Sequence, residues 1–124
     1  MKILIAEDST LYRMMIQSVV EDLGHEYLIA SDGQEAWEVF QDFGADVIIS
    51  DWIMPRLEGP DLCRRLRAHG GANYTYFILL TSLEEKQDFL AGMQAGADDY
   101  LTKPLDREAL EVRLLAAARV TSLH

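Results

Sequence analysis

The sequence predicts a three-layer α/β protein, an αβα sandwich around a doubly wound, five-stranded parallel sheet. Short apolar runs rich in β-branched residues alternate five times with longer amphipathic segments along 124 residues. This alternation is typical of parallel strands joined by crossover helices, which cover both faces of the sheet. The length suits one domain, residues 1–124, and the expected strand order is 2-1-3-4-5.

The five apolar runs are predicted to be buried strands because each ends abruptly at polar or turn-forming residues. The first run, for example, is followed by Glu7 and Asp8, and the third by Asp51. The predicted strands are residues 2–6, 26–30, 45–50, 74–80 and 98–101.

Helix boundaries follow from capping residues and glycines. Ser9 or Thr10 can cap the first helix and Asp106 the last, whereas Gly24 and Gly44 follow the first two helices and stop them. The predicted helices cover residues 11–23, 35–43, 60–69 and 84–94, and a fifth runs from 107 almost to the end of the sequence.

Apolar residues at helical spacing predict which helix faces pack on the sheet. In the first helix the expected inward residues are Leu11, Met14, Met15, Ser18, Val19 and Leu23. In the last helix they are Leu110, Leu114, Leu115 and Ala118.

Composition limits the classes of partner. Eleven basic against 21 acidic residues give a net charge of −10, so direct binding of nucleic acid or an anionic membrane by this domain is not expected. The one cysteine, Cys63, excludes an internal disulfide and is predicted to be a core residue. Without a signal peptide or a membrane-spanning run, a reducing, cytoplasmic location is expected.

Charged and hydroxyl side chains follow four of the predicted strands. Glu7 and Asp8 follow the first, Asp51 the third, Thr81 the fourth and Lys103 the fifth. In a parallel sheet these carboxyl ends share one edge, where open α/β folds bind their ligands. We therefore expect the five side chains to meet in one shallow pocket.

Three carboxylates in one pocket require a compensating charge, because two like charges about 4 Å apart repel by roughly 4 kcal/mol at an effective dielectric near 20. Oxygen ligands of this kind suit Mg²⁺, which keeps several of its waters. Asp8 and Asp51 are expected to bind the ion directly, Glu7 through water, and Ile53 through its backbone carbonyl.

Such a site favours phosphoryl transfer to a carboxylate. Asp51 would attack as the nucleophile, Lys103 would neutralise charge on the phosphoryl oxygens, and Thr81 would donate a hydrogen bond to one of them. The alternative for Asp51 is a structural one, in which its side chain only caps the loop that leads to the next helix.

The combined motifs are similar to those of the receiver domain of two-component response regulators, which has a flavodoxin-like fold. Each fragment alone is a weak signal, but five in order at predicted strand ends are specific. They are Glu7-Asp8, Asp51-Trp52-Ile53-Met54-Pro55 with Gly59, Thr81, Gly96-Ala97-Asp98-Asp99-Tyr100 and Lys103-Pro104.

The resemblance implies that Asp51 accepts a phosphoryl group from a histidine kinase or a phosphotransfer protein. Glu7, Asp8, Asp51 and the Ile53 carbonyl would then form the Mg²⁺ site, and Lys103 would contact the phosphate. It further implies a switch pair of Thr81 and Tyr100, with Tyr100 turning inward from an exposed edge, and a cis peptide bond before Pro104.

An output surface is expected on the fourth helix, fifth strand and last helix. A homodimer through this surface would pair Asp98 or Asp99 with Arg113 of a second copy. The chain would act alone or as the N-terminal module of a protein with an effector domain.

Two other functions remain open at this point. One is a Mg²⁺-dependent phosphohydrolase that uses an aspartyl phosphate, although Ile53 occupies the position where a second acid is expected. The other is an inactive, receiver-like scaffold. For the receiver itself no enzyme activity is expected beyond its own phosphorylation and dephosphorylation.

Overall fold

Five strands alternate strictly with five helices in the computed structural model, which describes residues 1–71, 73–82 and 86–123. The strands are β1 (Lys2–Ala6), β2 (Glu26–Ala30), β3 (Val47–Asp51), β4 (Tyr76–Thr81) and β5 (Asp99–Thr102). The helices are α1 (Thr10–Asp22), α2 (Gly33–Phe43), α3 (Gly59–His69), α4 (Lys86–Gln94) and α5 (Arg107–Ser122). The expected start of α4 at Glu84 lies outside the described residues.

All strand pairs are parallel, and the sheet order is β2-β1-β3-β4-β5, which confirms the predicted topology. Successive side chains of a strand point to opposite faces. Ile3 and Ile5 therefore pack in one core cluster with α1 and α5, whereas Leu4 and Ala6 pack in the other with α2 and α3. The three-layer prediction is thus correct.

Capping residues define the starts of three helices, at the predicted Ser9 and Asp106 and also at Asp32, so that α2 begins two residues before the predicted position 35. The side chains of Ser9, Asp32 and Asp106 accept hydrogen bonds from backbone N–H groups in the first turns of α1, α2 and α5. Gly44 ends α2 in the left-handed conformation, which glycine adopts without steric cost. Cys63 is buried in the core, and burial raises the pKa of its thiol to about 11.

The predicted inward face of α1 was wrong for most of its residues. Leu11 and Met14 are 65% and 63% exposed, whereas the buried residues are Ile16, Val19 and Val20. The helix carries two apolar stripes with helical spacing, and only one of them can contact the sheet. The other stripe, around Leu11 and Met14, faces outward.

The inward face of α5 was predicted in part. Leu110 and Leu114 are buried as expected, but Ala117 completes their stripe. Leu115 is 59% exposed. Leu115 follows Leu114 directly, and one residue turns a helix by about 100°, so both cannot face the sheet. Among the described residues, no helix is long and apolar enough to cross a membrane.

Candidate functional site

The carboxyl ends of β1, β3, β4 and β5 form one edge of the sheet, and the predicted site lies there. Glu7 and Asp8 directly follow β1, and Asp51 is the last residue of its neighbour β3. Lys103 directly follows β5. The strand order reverses between β1 and β3, so their ends border the crevice in which such folds bind ligands.

Three acidic residues come together at this edge. Carboxylate oxygens of Glu7, Asp8 and Asp51 all lie within 4.8 Å of one another. Glu7 and Asp51 are buried, whereas Asp8 faces solvent. Carboxylates at such distances repel one another strongly when water is excluded, so this group needs a positive charge.

Lys103 supplies one positive charge. Its Nζ donates hydrogen bonds to Glu7 Oε1 at 3.0 Å and to Asp51 Oδ2 at 3.1 Å. Burial alone lowers the pKa of Lys103, but the hydrogen bonds and charges of Glu7 and Asp51 outweigh it and hold the pKa above its ordinary value. The ammonium group therefore stays charged throughout the neutral pH range.

The negative charge of the Glu7 carboxylate is only partly compensated by Lys103. Burial raises its pKa to about 7; the Lys103 hydrogen bond opposes this shift, and Asp51 adds to it. Its second oxygen, Oε2, is buried without a hydrogen-bond partner among the described residues. A buried carboxylate oxygen with nothing to bind, beside two further carboxylates, fits a hard divalent cation such as Mg²⁺.

The loop after β3 holds Asp51 in position. The backbone N–H of Trp52 donates to Asp51 Oδ1 at 2.8 Å, and the N–H of Gly59 donates to Trp52 O at 2.8 Å. A Cβ at Gly59 would lie 2.3 Å from Asp51 O, so only glycine allows this approach. Ile53, two residues after Asp51, has an exposed side chain.

Thr81 and Lys103 are joined through their backbones. The N–H of Lys103 donates to Thr81 O at 2.7 Å, which ties the segment after β5 to the end of β4. Asp51 is paired in register with Leu80, so Thr81 lies one residue beyond it along the site edge. Thr81 is buried, and the Lys103–Pro104 peptide bond is cis.

Tyr100 lies on the edge strand β5, but its side chain is buried, so the expectation of an exposed position was wrong. Its side chain is 8% exposed, and its ring packs against Trp52 at a centroid distance of 6.3 Å and against Phe89 at 5.0 Å. A Cβ at Gly92 would lie 2.8 Å from a Leu79 methyl group, so this glycine lets α4 approach the sheet and cover Tyr100.

The acidic residues before Tyr100 have partners within the chain. Asp98 Oδ2 accepts from Arg67 Nη2 at 2.8 Å, and Asp99 Oδ2 lies 2.9 Å from Arg113 Nε. Both carboxylates therefore have a counter-charge within the chain. The predicted pairing of Asp98 or Asp99 with Arg113 of a second copy is not required to neutralise them. The internal ion pairs form because α3 and α5 flank the start of β5 on opposite faces of the sheet.

Two residues near the site were missed from the sequence. The ring of Tyr12 lies under Lys103 Nζ, 4.1 Å from centroid to nitrogen. Arg13 Nη1 donates to the carbonyls of Glu7 and Asp8 at 3.1 and 3.2 Å. The available signal was spacing, because Tyr12 follows Asp8 by four residues and one helical turn brings it back beside the strand end.

Comparisons with known proteins agree with this geometry. The family model described as the response regulator receiver domain matches residues 3–115. The phosphate regulon transcriptional regulatory protein PhoB of Pseudomonas aeruginosa is 38% identical over 119 residues, which cover 96% of this chain and 52% of PhoB. Response regulator RppA of Synechocystis is 37% identical over 123 residues, and the match covers 96% of this chain and 51% of RppA. The chain thus spans about half the length of these relatives.

Solved structures of receiver domains have the same fold as this chain. The receiver domain of a Francisella response regulator superposes with a TM-score of 0.89 at 34% identity, covering 97% of this chain and 98% of that one. The receiver domain of a sensor histidine kinase from Pseudomonas aeruginosa PAO1 has a TM-score of 0.84 at 30% identity and covers 93% and 94%. That structure has a magnesium ion coordinated in its active-site cleft.

Proposed function

The chain belongs to the response regulator receiver domain family of two-component systems, and from this premise we propose that Asp51 is its phosphoacceptor. The observation that carries the proposal is the joint contact of Lys103 Nζ with Glu7 Oε1 and Asp51 Oδ2 inside a cluster of three carboxylates. An ammonium group held on the nucleophile's own oxygen lies where phosphoryl charge will arrive.

The proposed reaction is transfer of a phosphoryl group from a phosphohistidine. An Asp51 carboxylate oxygen bonds to phosphorus, the bond from phosphorus to the imidazole nitrogen breaks, and the released imidazole takes up a proton. Lys103 exchanges its contact with Asp51 Oδ2 for one with a phosphoryl oxygen, and the Thr81 hydroxyl donates to another. Water later hydrolyses the acyl phosphate and restores the Asp51 carboxylate. The reactions proposed for the domain are thus its own phosphorylation and dephosphorylation.

We propose that Glu7, Asp8, Asp51 and the Ile53 carbonyl hold Mg²⁺. Two observations support this set: Glu7 Oε2 has no hydrogen-bond partner in the described part of the chain, and the carboxylate oxygens are clustered. When bound, the ion supplies charge neutralisation that lets an anionic carboxylate approach an anionic phosphoryl group.

Labelling with radioactive acetyl phosphate tests the proposal directly. The wild-type chain should take up base-labile phosphate in the presence of Mg²⁺, and chelation of the metal or the substitution Asp51→Asn should abolish uptake. Asp61→Asn is the matched control, because Asp61 is an exposed aspartate on α3 whose partner is the exposed Arg64. Undiminished labelling of Asp51→Asn would reject Asp51 as the acceptor.

We further propose that Thr81 and Tyr100 transmit the modification. Since the Tyr100 ring already packs on Trp52 and Phe89, movement of Thr81 toward the phosphoryl group would alter this packing and thereby α4. Phosphorylated Thr81→Ala should keep its label yet lose the change in Trp52 fluorescence that the wild type undergoes. An unchanged fluorescence response would remove Thr81 from the switch.

The proposed docking surface for a histidine kinase or phosphotransfer protein is the outward stripe of α1. Leu11, Met14 and Met15 border a groove of about 390 Å³ that Leu105 and Arg107 close on the other side. An apolar groove next to the phosphoacceptor edge suits an apolar helix of a partner. Hydrogen-exchange protection of α1 by a purified phosphotransfer protein would measure this docking, and its absence would exclude it.

We propose that residues 1–124 form one receiver module, either alone or followed by an effector domain. The relatives' greater length supports the second arrangement. Cytoplasmic location and a lack of direct nucleic-acid binding by this module remain predictions, the latter from the net charge of −10.

A further inference from the structure

The Lys103 ammonium group is enclosed on three sides. It donates to Glu7 Oε1 at 3.0 Å and to Asp51 Oδ2 at 3.1 Å, and the centroid of the Tyr12 ring lies 4.1 Å from its nitrogen. The Lys103 side chain is only 13% exposed. An ammonium has three N–H donors, so two carboxylates and one ring face account for the positions around it.

Tyr12 is held independently of Lys103. It lies in the first turn of α1, where its backbone N–H donates to the Ser9 side chain, and its ring packs against the core cluster that α1 and α5 form with the sheet. The ring is thus a fixed surface rather than a side chain that follows the lysine.

The face of an aromatic ring attracts a cation within about 6 Å, and the attraction grows when water is excluded. This matters for lysine because its charge sits at the end of a flexible four-carbon stem. Without the ring, the ammonium keeps its contacts with Glu7 and Asp51, its two hydrogen-bond partners among the described residues. The Asp51 contact is the one that must be exchanged when a phosphoryl group arrives.

We propose that Tyr12 is a positioning residue for phosphoryl transfer, whose ring face holds the Lys103 ammonium between Glu7 and Asp51. The inference rests on the proposed role of Asp51. It adds a residue of α1 to a site otherwise built from strand ends and the segments that follow them. Tyr12 itself forms no bond to phosphate and exchanges no proton.

Two substitutions separate this role from simple core packing. Tyr12→Phe keeps the ring face and removes only the hydroxyl group. Tyr12→Leu fills much of the same space without an aromatic face. Tyr27→Leu is the matched control, because Tyr27 is a partly buried tyrosine of the same core cluster but lies on β2, at the far edge of the sheet from β5.

The first measurement is the initial rate of labelling by acetyl phosphate over a range of concentrations with saturating Mg²⁺. Tyr12→Leu should lower the maximal rate by about two- to thirtyfold, the range expected for a lost cation–π contact. Tyr12→Phe and Tyr27→Leu should stay within about twofold of the wild type. A wild-type rate for Tyr12→Leu, or an equal loss in Tyr12→Phe, would overturn the proposal.

The second measurement does not depend on phosphorylation. In NMR spectra of the metal-free protein, the Lys103 methylene protons next to the ammonium should be shifted upfield by the ring in the wild type and in Tyr12→Phe. They should return toward ordinary lysine values in Tyr12→Leu, and an unchanged shift would overturn the proposal. Because this readout needs no labelling, it separates a failure of the Tyr12 inference from a failure of Asp51 as phosphoacceptor.

Discussion

The environment of Glu7 opposes the negative charge of its carboxylate. One oxygen pairs with Lys103, the other is buried without a partner among the described residues, and burial raises the pKa to about 7. In the unfolded chain an ordinary glutamate loses its proton near pH 4.5. Folding therefore binds a proton between these values, and deprotonation of Glu7 costs stability in the metal-free protein.

The sign of the pH dependence follows from linkage. A raised native pKa gives stability that is complete below the unfolded pKa and is lost as pH rises through about 7. Between pH 5.5 and 8.5 the metal-free wild type should lose roughly 1–2 kcal/mol of unfolding free energy that Glu7→Gln does not lose.

Urea unfolding in the presence of a chelator measures this difference. Glu38→Gln, at an exposed position of α2, is the control and should follow the wild type. If Glu7→Gln lost as much stability as the wild type over this range, the account of Glu7 would be wrong.

At the scale of elements, one arginine joins α3 to the segments that precede β4 and β5. Arg67 donates to the carbonyls of Thr75 and Gly96 and to Asp98 Oδ2, with nitrogen–oxygen distances between 2.7 and 3.0 Å. Its guanidinium also lies over the Tyr74 ring, whose hydroxyl donates to Asp98. This network ties the end of α3 to the start of β4 and to the loop that leads into β5.

Removal of this side chain should therefore destabilise the fold. Arg67→Ala removes the donor of two carbonyls and the counter-charge of the Asp98 carboxylate, which keeps hydrogen bonds from the Tyr74 hydroxyl and the Phe77 N–H. We therefore expect a loss of about 2–3 kcal/mol in urea unfolding. Arg67→Lys should recover little of it, because a single ammonium cannot reproduce the planar fork.

Arg64→Ala is the matched control on the same helix. Within the described part of the chain, the ion-pair partner of Arg64 is the exposed Asp61, so its loss should change stability by less than about 0.5 kcal/mol. Equal effects of the two alanine substitutions would refute the special role of Arg67.

At the scale of the whole molecule, one surface combines exposed apolar residues with internally paired charges. Leu90 on α4 and Val112 and Leu115 on α5 are exposed, while Asp99 on β5 and Arg113 on α5 form an ion pair within the chain. Because this pair is already satisfied, we expect no dimer of the unmodified chain.

We predict that a mimic of the phosphoryl group converts the monomer to a dimer. With Mg²⁺ and beryllium trifluoride, light scattering should record twice the molar mass of the monomer. The expected dimer interface is the surface formed by α4, β5 and α5. Leu115→Glu should prevent the doubling, whereas Leu28→Glu should not, because Leu28 is an exposed leucine on β2 at the opposite edge of the sheet. A wild type that remains monomeric with the mimic would exclude the dimer.

The strands, their order and the residues at their ends were predictable from the sequence alone. Buried parallel strands must be apolar on both faces, so charged residues that directly follow such runs, as Asp8 and Asp51 do, are confined to the carboxyl edge. Local rules therefore determine which side chains share that edge. The same reasoning assigns Lys103, which follows the fifth apolar run, to this group.

Only the tertiary structure decided which face of each helix packs on the sheet and which charged side chains form contacts. Helical spacing is equally satisfied by either apolar stripe of α1, and the choice depends on which stripe fits the sheet. The burial of Tyr100 depends on how closely α4 approaches, and the contact between Tyr12 and Lys103 joins residues from opposite ends of the chain. Such contacts arise from packing between elements, which no local pattern encodes.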